Sequence, residues 1–137
     1  MTAVFADTSA LYAFLDGDDG DHPAVVCAWD ELAETDHTLV TTNYVLLETS
    51  ALVQRRLGLQ ALRRFSQYVA PLFDVVWVEA IMHEAGVAAL LAANRRELSL
   101  VDCVSLDVMR RLGLRQALTL DAHFREQGFD CLPAPEP

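Results

Sequence analysis

The sequence predicts an α/β domain with a mainly parallel central sheet and helices packed on its faces. Three observations predict it. Short apolar runs of strand length alternate with stretches whose apolar residues recur at helical spacing. The first such run, Val4 to Ala6, stops at Asp7 and passes directly into a helical pattern. The same order returns near the C-terminus, where Asp121 follows Leu118-Thr119-Leu120. A strand that ends in a carboxylate sets it at the carboxyl edge of the sheet, where open α/β folds bind ligands.

After the strand Val4 to Ala6, a first helix carries Ala10, Leu11, Phe14 and Leu15. Asp16-Gly17-Asp18-Asp19-Gly20-Asp21 is a solvated turn; it lacks the order and late Glu of a calcium loop. His22-Pro23 opens a second helix, with Val25, Val26, Trp29 and Leu32-Ala33 at helical spacing. Thr38 to Thr41 reads as the second strand, and Thr42 or Asn43 can cap the helix that follows. Its expected core stripe is Tyr44, Leu47, Ala51 and Leu52, with Glu48 among them. A carboxylate there is costly without a partner; the plain alternative is an edge residue whose head reaches water.

Gly58 breaks that helix, a further helix runs from about Leu59 to Tyr68, and Pro71 closes the segment. Phe73 to Val78 is the third strand. Glu79 to Asn94 is an Ala-rich helix whose stripe is Ile81, Ala85, Ala88, Ala89 and Ala92, small enough for close packing, even against a second subunit. Ser99-Leu100-Val101-Asp102 has the form of a capping box, and its helix runs to about Leu112 before Gly113. Asp102, Ser105, Leu106 and Met109 share one face of it. Gln116 to Leu120 is the fourth strand, Ala122 to Gln127 a short helical turn, and Phe129 to Leu132 an edge strand. Asp102 and Asp121 each have a plain capping role as well.

At 137 residues, 53% of them hydrophobic, the chain is expected to fold as one domain, 1–132, with 133–137 as a short tail. No apolar run reaches bilayer length and no signal peptide is read at the start, so a cytoplasmic protein is expected. Cys27, Cys103 and Cys131 show no metal-binding spacing, and the four histidines form no His-x-x-x-His pair. The net charge of −10 runs against a large basic nucleic-acid surface. All 10 basic residues are arginines, read mostly as solvated helix faces.

Asp7, Glu48, Asp102 and Asp121 stand out together. Strand ends and following helix starts gather at one rim of a parallel sheet. Carboxylates gathered there repel one another unless cations share the site, and an all-oxygen donor set suits Mg²⁺ or Mn²⁺. Thr8, Ser9, Asn43 and Ser105 are placed to steady the acids or the waters around an ion.

These residues resemble a known family. Asp7-Thr8-Ser9 after an N-terminal strand, Glu48 closing Tyr44-Val45-Leu46-Leu47-Glu48, Asp102 in Leu98 to Ser105 and Asp121 in Leu118 to Phe124 look like a PIN domain. The match is nearest to the VapC-type ribonuclease toxins of bacterial toxin–antitoxin pairs and covers almost the whole chain. The resemblance implies a three-layer α/β/α sandwich and Mg²⁺- or Mn²⁺-dependent endonucleolytic cleavage of RNA. It implies Asp7, Asp102 and Asp121 as the main metal ligands. Glu48 would bind metal, directly or through water, or help deprotonate the attacking water. It further implies a homodimer and a small VapB-like antitoxin that occludes the site.

Other readings fit less well. A haloacid-dehalogenase phosphatase needs a second Asp where Ser9 stands, and both it and a receiver domain need a lysine that this chain lacks. A PIN nuclease of RNA maturation or DNA processing without an antitoxin, and a non-catalytic PIN module, are the alternatives within the fold.

Overall fold

The computed structural model describes residues 2–135; Met1, Glu136 and Pro137, the outer ends of the expected domain and tail, lie outside the described residues. The order is β1 (Thr2–Ala6), α1 (Thr8–Leu15), α2 (His22–Glu34), β2 (His37–Thr42), α3 (Asn43–Leu57) and α4 (Leu59–Arg64). A π-helical turn (Phe65–Val69) and a 3-10 turn (Ala70–Leu72) then lead into β3 (Asp74–Val76). α5 (Ala80–Ala93), α6 (Leu100–Leu112), β4 (Gln116–Leu118), α7 (Ala122–Glu126) and β5 (Asp130–Leu132) complete the chain.

The five strands form one sheet in the order β3-β2-β1-β4-β5, and every pairing is parallel. Parallel neighbours need crossovers, which the helices supply. Val4, Phe5 and Ala6 point alternately to the two faces of β1, yet all three are fully buried. Both faces of the sheet are therefore covered, the three-layer α/β/α arrangement. Phe5 stacks on Phe124 of α7 with ring centroids 6.3 Å apart, and Phe14 stacks on Trp29 at 4.3 Å, joining α1 to α2. The edge strands β3 and β5 are only three residues long, which limits the exposed ladder.

This strand order fixes where a ligand can sit. The chain builds outward from β1 through β2 to β3, then returns to the other side of β1 for β4 and β5. The reversal lies between β1 and β4. Beyond their carboxyl ends is the crevice that open α/β sheets use for binding. Asp7 follows β1 immediately, and its backbone N–H donates to Leu118 O at 3.0 Å. Asp121 lies three residues past the end of β4.

Two expected stripes are corrected. In α3 the buried residues are Val45, Thr49 and Val53, whereas Leu47 is 70% exposed and Ala51 is exposed too. The core face is turned by about one residue, or about 100°. In α5 only Gly86 is buried, and Ile81, Ala88, Ala89 and Ala92 face outward. That helix is apolar almost all round, so its sequence carried no contrast from which to read a face. Gly86 sits so close to α6 that a Cβ there would lie 2.6 Å from Val104 Cγ2.

Candidate active site

Asp7 occupies the N-cap position of α1 in an extended conformation, yet its side chain caps nothing. Its Oδ2 instead accepts from Ser9 Oγ at 2.8 Å and from Thr119 Oγ1 at 3.1 Å. Each hydroxyl has a single proton to donate, so both are committed to Asp7. Their lone pairs accept from the turn after β4: Leu120 N–H donates to Ser9 Oγ at 2.9 Å and Asp121 N–H donates to Thr119 Oγ1 at 3.0 Å. This network ties the end of β1 to the end of β4 and fixes one oxygen of Asp7. Among the described residues Oδ1 makes no hydrogen bond, and Asp7 lines the cavity at this rim.

Asp102 is set by the capping box expected for α6. Ser99 Oγ accepts from Asp102 N–H at 3.0 Å, and Asp102 Oδ2 accepts from Ser99 N–H at 3.1 Å. The cap and a site role are compatible, because among the described residues Asp102 Oδ1 accepts no hydrogen bond. Asp121 caps α7, its Oδ1 accepting from His123 N–H at 2.9 Å. The local roles read for Asp102 and Asp121 are thus present, and they orient the carboxylates.

A cavity of about 480 Å³ opens at this rim. Asp7, Glu48, Asp102 and Asp121 all line it, with Thr8, Ser9 and Ser99 between them. Glu48 is half-buried on the α3 wall, with Leu52 and Arg55 further along the same helix face. Of the residues expected to steady the acids, Thr8 and Ser9 are at the cavity. Ser105 is fully buried on the Asp102 side of α6 with no hydrogen-bond partner for its Oγ. Asn43 is elsewhere: its Oδ1 accepts from Val78 N–H at 2.6 Å, fastening α3 to the segment before α5.

Burial pushes the Asp7 carboxyl up to about 6, with repulsion from Asp102 and Asp121 adding to it and the Ser9 and Thr119 hydrogen bonds opposing it. Asp102 is raised too, by burial first and then by the Asp121 charge. Such a cluster favours either protons or a cation. Asp102, Asp121 and His123 offer ligand atoms that all lie within 4.8 Å of one another. His123 Nδ1 stands 2.7 Å from Asp121 Oδ1 without forming an aligned hydrogen bond, a buried polar atom left without a partner. Asp7 and Glu48 line the same cavity but fall outside this group. The carboxylate oxygens of Asp102 and Asp121 suit a hard divalent ion, with Asp7 next to them on the cavity wall.

Sequence reasoning passed over Thr119, His123 and Arg55. The role of Thr119 depends on β1 and β4 being neighbours, which no local pattern reveals. His123 was signalled by its place two residues after the capping acid, inside the turn that folds back on it. Arg55 was signalled by its spacing of seven residues from Glu48, two turns along one helix face.

Residues 4–130 match the family model described as PIN domain. The chain is 32% identical over 127 residues to the 23S rRNA-specific endonuclease VapC20 of Mycobacterium tuberculosis, a match covering 92% of this chain and 95% of the relative. The crystal structure of that VapC20, described as a Sarcin-Ricin loop cleaving toxin, superposes with a TM-score of 0.82 at 31% identity, over 92% and 95% of the two chains. FitAcB from Neisseria gonorrhoeae has a TM-score of 0.66 at 17% identity, covering 93% and 95%. VapBC2 from Rickettsia felis, bound to a promoter DNA fragment, has a TM-score of 0.69 at 10% identity, covering 95% and 97%. The last two share the fold.

Proposed function

Because this chain belongs to the PIN-domain family, we propose that it is a Mg²⁺- or Mn²⁺-dependent endoribonuclease, the toxin of a bacterial type II toxin–antitoxin pair. The observation that carries the reading is the delivery of Asp7, Glu48, Asp102 and Asp121 to one cavity at the switch point of the sheet. The relative's activity makes large-subunit ribosomal RNA the first substrate to test. The reading takes residues 1–132 as one catalytic domain followed by the tail 133–137.

In this proposal Asp7, Asp102 and Asp121 hold the divalent ion, with Glu48 beside them and His123 adjoining through Asp121. When bound, the ion would supply an activated water and charge neutralisation at the leaving oxygen. The chain does the rest. Ser9 and Thr119 fix the Asp7 carboxylate and favour its charged form against burial. Ser99 fixes Asp102. Glu48, on the α3 wall of the cavity, would take the proton of the attacking water. Leu52 and Ala51 give that wall an apolar surface against which a base can lie.

The same reading assigns two protein partners. A small antitoxin with a basic segment would complement the acidic cavity. A second copy of the chain would cover the apolar residues outside α3 and α5. Tyr44 Oη and His83 Nδ1 lie 2.6 Å apart, and Asn43 holds Val78, so the starts of these helices adjoin. Leu47, Trp77 and Ile81, 67–71% exposed, emerge beside that seam. Among the described residues no helix is long and apolar enough to cross a membrane, in keeping with cytoplasmic action.

Induced expression in a bacterial host tests the proposal. Growth arrest together with new, discrete 5′ ends in RNA, both absent for Asp102→Asn, is the expected result. Growth arrest that persists with Asp102→Asn, or intact RNA throughout, would overturn it.

A further inference from the structure

A net charge of −10 and a carboxylate centre both repel a polyanion, so something near the site must attract one. Four of the ten arginines are occupied elsewhere. Arg95 pairs with Glu97 and Glu126, Arg111 pairs with Asp107, Arg110 donates to Gln127, and Arg56 lies over the Tyr12 ring. Arg55, Arg63, Arg64, Arg96, Arg115 and Arg125 are exposed and, among the described residues, make no hydrogen bond or ion pair; of these, Arg55 and Arg125 are the ones that line the acid cavity or the groove next to it.

Both arginines border the carboxylate centre. Arg55 lines the acid cavity itself, on the α3 face that carries Glu48. Arg125, on α7, lines a second cavity of about 250 Å³, walled on its far side by Pro133 to Pro135. Thr119, Leu120 and Asp121 form the turn that this second cavity shares, and Asp121 lines both. The two spaces therefore adjoin at one acid, and each holds one unpaired guanidinium. Asp21 also borders the second groove, so Arg125 alone offers a phosphate a partner there. Arg55 stands about 10 Å along the helix axis from Glu48, the span of about three stacked nucleotides.

We propose that Arg55 and Arg125 are phosphate anchors at the two ends of a single-stranded RNA track, which holds the strand across the carboxylate centre between them. The inference rests on the endoribonuclease reading and deepens it. Arginine suits the task because its planar fork grips phosphate oxygens in pairs. With only two anchors, binding should depend weakly on salt: a log–log slope of about −1.4, where two phosphates are neutralised on a single strand.

The test is binding of a fluorescent single-stranded oligoribonucleotide of about 12 nucleotides. NaCl is varied at a fixed Ca²⁺ concentration, and cleavage of total RNA with Mg²⁺ is run alongside. Arg55→Ala and Arg125→Ala should each weaken binding several-fold and reduce the slope by about 0.7. The double variant should show almost no salt dependence. Arg55→Lys and Arg125→Lys should keep the slope while losing part of the affinity. Arg64→Ala, on an exposed face of α4 away from both grooves, should match wild type. If wild type binds and cuts RNA but both alanine variants keep its affinity and slope, the track is wrong and the nuclease reading stands. A loss confined to one arginine overturns the two-sided track. A wild type that neither binds nor cuts overturns the nuclease reading, and the track falls with it.

Discussion

At Asp7, burial and charge oppose each other. The side chain is 3% exposed at the end of the central strand, its carboxyl is pushed up to about 6, and two further acids approach it. Its folded pKa lies above the ordinary 3.8, so the folded state takes up a proton more readily than the unfolded chain. The stability associated with that proton is present below about pH 4 and lost as pH rises through about 6. At neutral pH the loss is about 3 kcal/mol in metal-free protein. Asp7→Asn should therefore raise the melting temperature of metal-free protein at pH 7 to 8, and the gain should vanish near pH 4. Thermal unfolding across pH measures this directly; an equal effect at both ends would show that Asp7 is not held against its charge. Thr119→Val keeps the buried shape but removes one donor to Asp7. It should weaken Mn²⁺ binding by about 10-fold or more while leaving the fold intact, as read by calorimetry. Asp7 and Asp121 were legible because an acid ending a strand is a local pattern. Thr119 was not, since its partner is 112 residues away.

Among the elements, α5 and α6 meet closely, and that contact depends on one missing side chain. Gly86 faces Val104, which is fully buried and β-branched, so its methyl cannot swing aside. Gly86→Ala would gain about 1 kcal/mol from helix propensity. The 2.6 Å contact should cost more, about 1–3 kcal/mol, because α5 must move off α6. Denaturant titration should find Gly86→Ala less stable in the wild-type background, and this cost largely absent when Val104→Ala is already present. A stabilised Gly86→Ala would mean that the helices do not approach this closely. Helix limits in this chain were readable from sequence, because Ser99, Gly58 and Gly113 are local signals. The faces were not. In α3, Tyr44 and Leu52 or Val45 and Val53 could each lead a stripe. The choice fell to Thr49, whose hydroxyl donates to Thr8 in the core at 3.3 Å.

For the whole molecule, the parallel sheet is a frame that presents acids at one rim and leaves apolar residues exposed outside α3 and α5. If a second copy covers those residues, Trp77→Glu or Ile81→Glu should convert a dimer to a monomer in sedimentation without lowering the melting temperature of the monomer. Sedimentation unchanged by either substitution would place the subunit contact elsewhere. The parallel sheet was legible because strands and helices alternate along the chain. The order β3-β2-β1-β4-β5, which sets Asp7 beside the β4 turn, was not, since strand neighbours are chosen by packing across the whole fold. The most direct measurement is cleavage of ribosomal RNA by the purified protein with Mg²⁺, with Mn²⁺ and with EDTA, beside Asp7→Asn. The account predicts discrete fragments that need the ion and vanish with Asp7→Asn. Cleavage that persists in EDTA, or that Asp7→Asn performs at the wild-type rate, would contradict it.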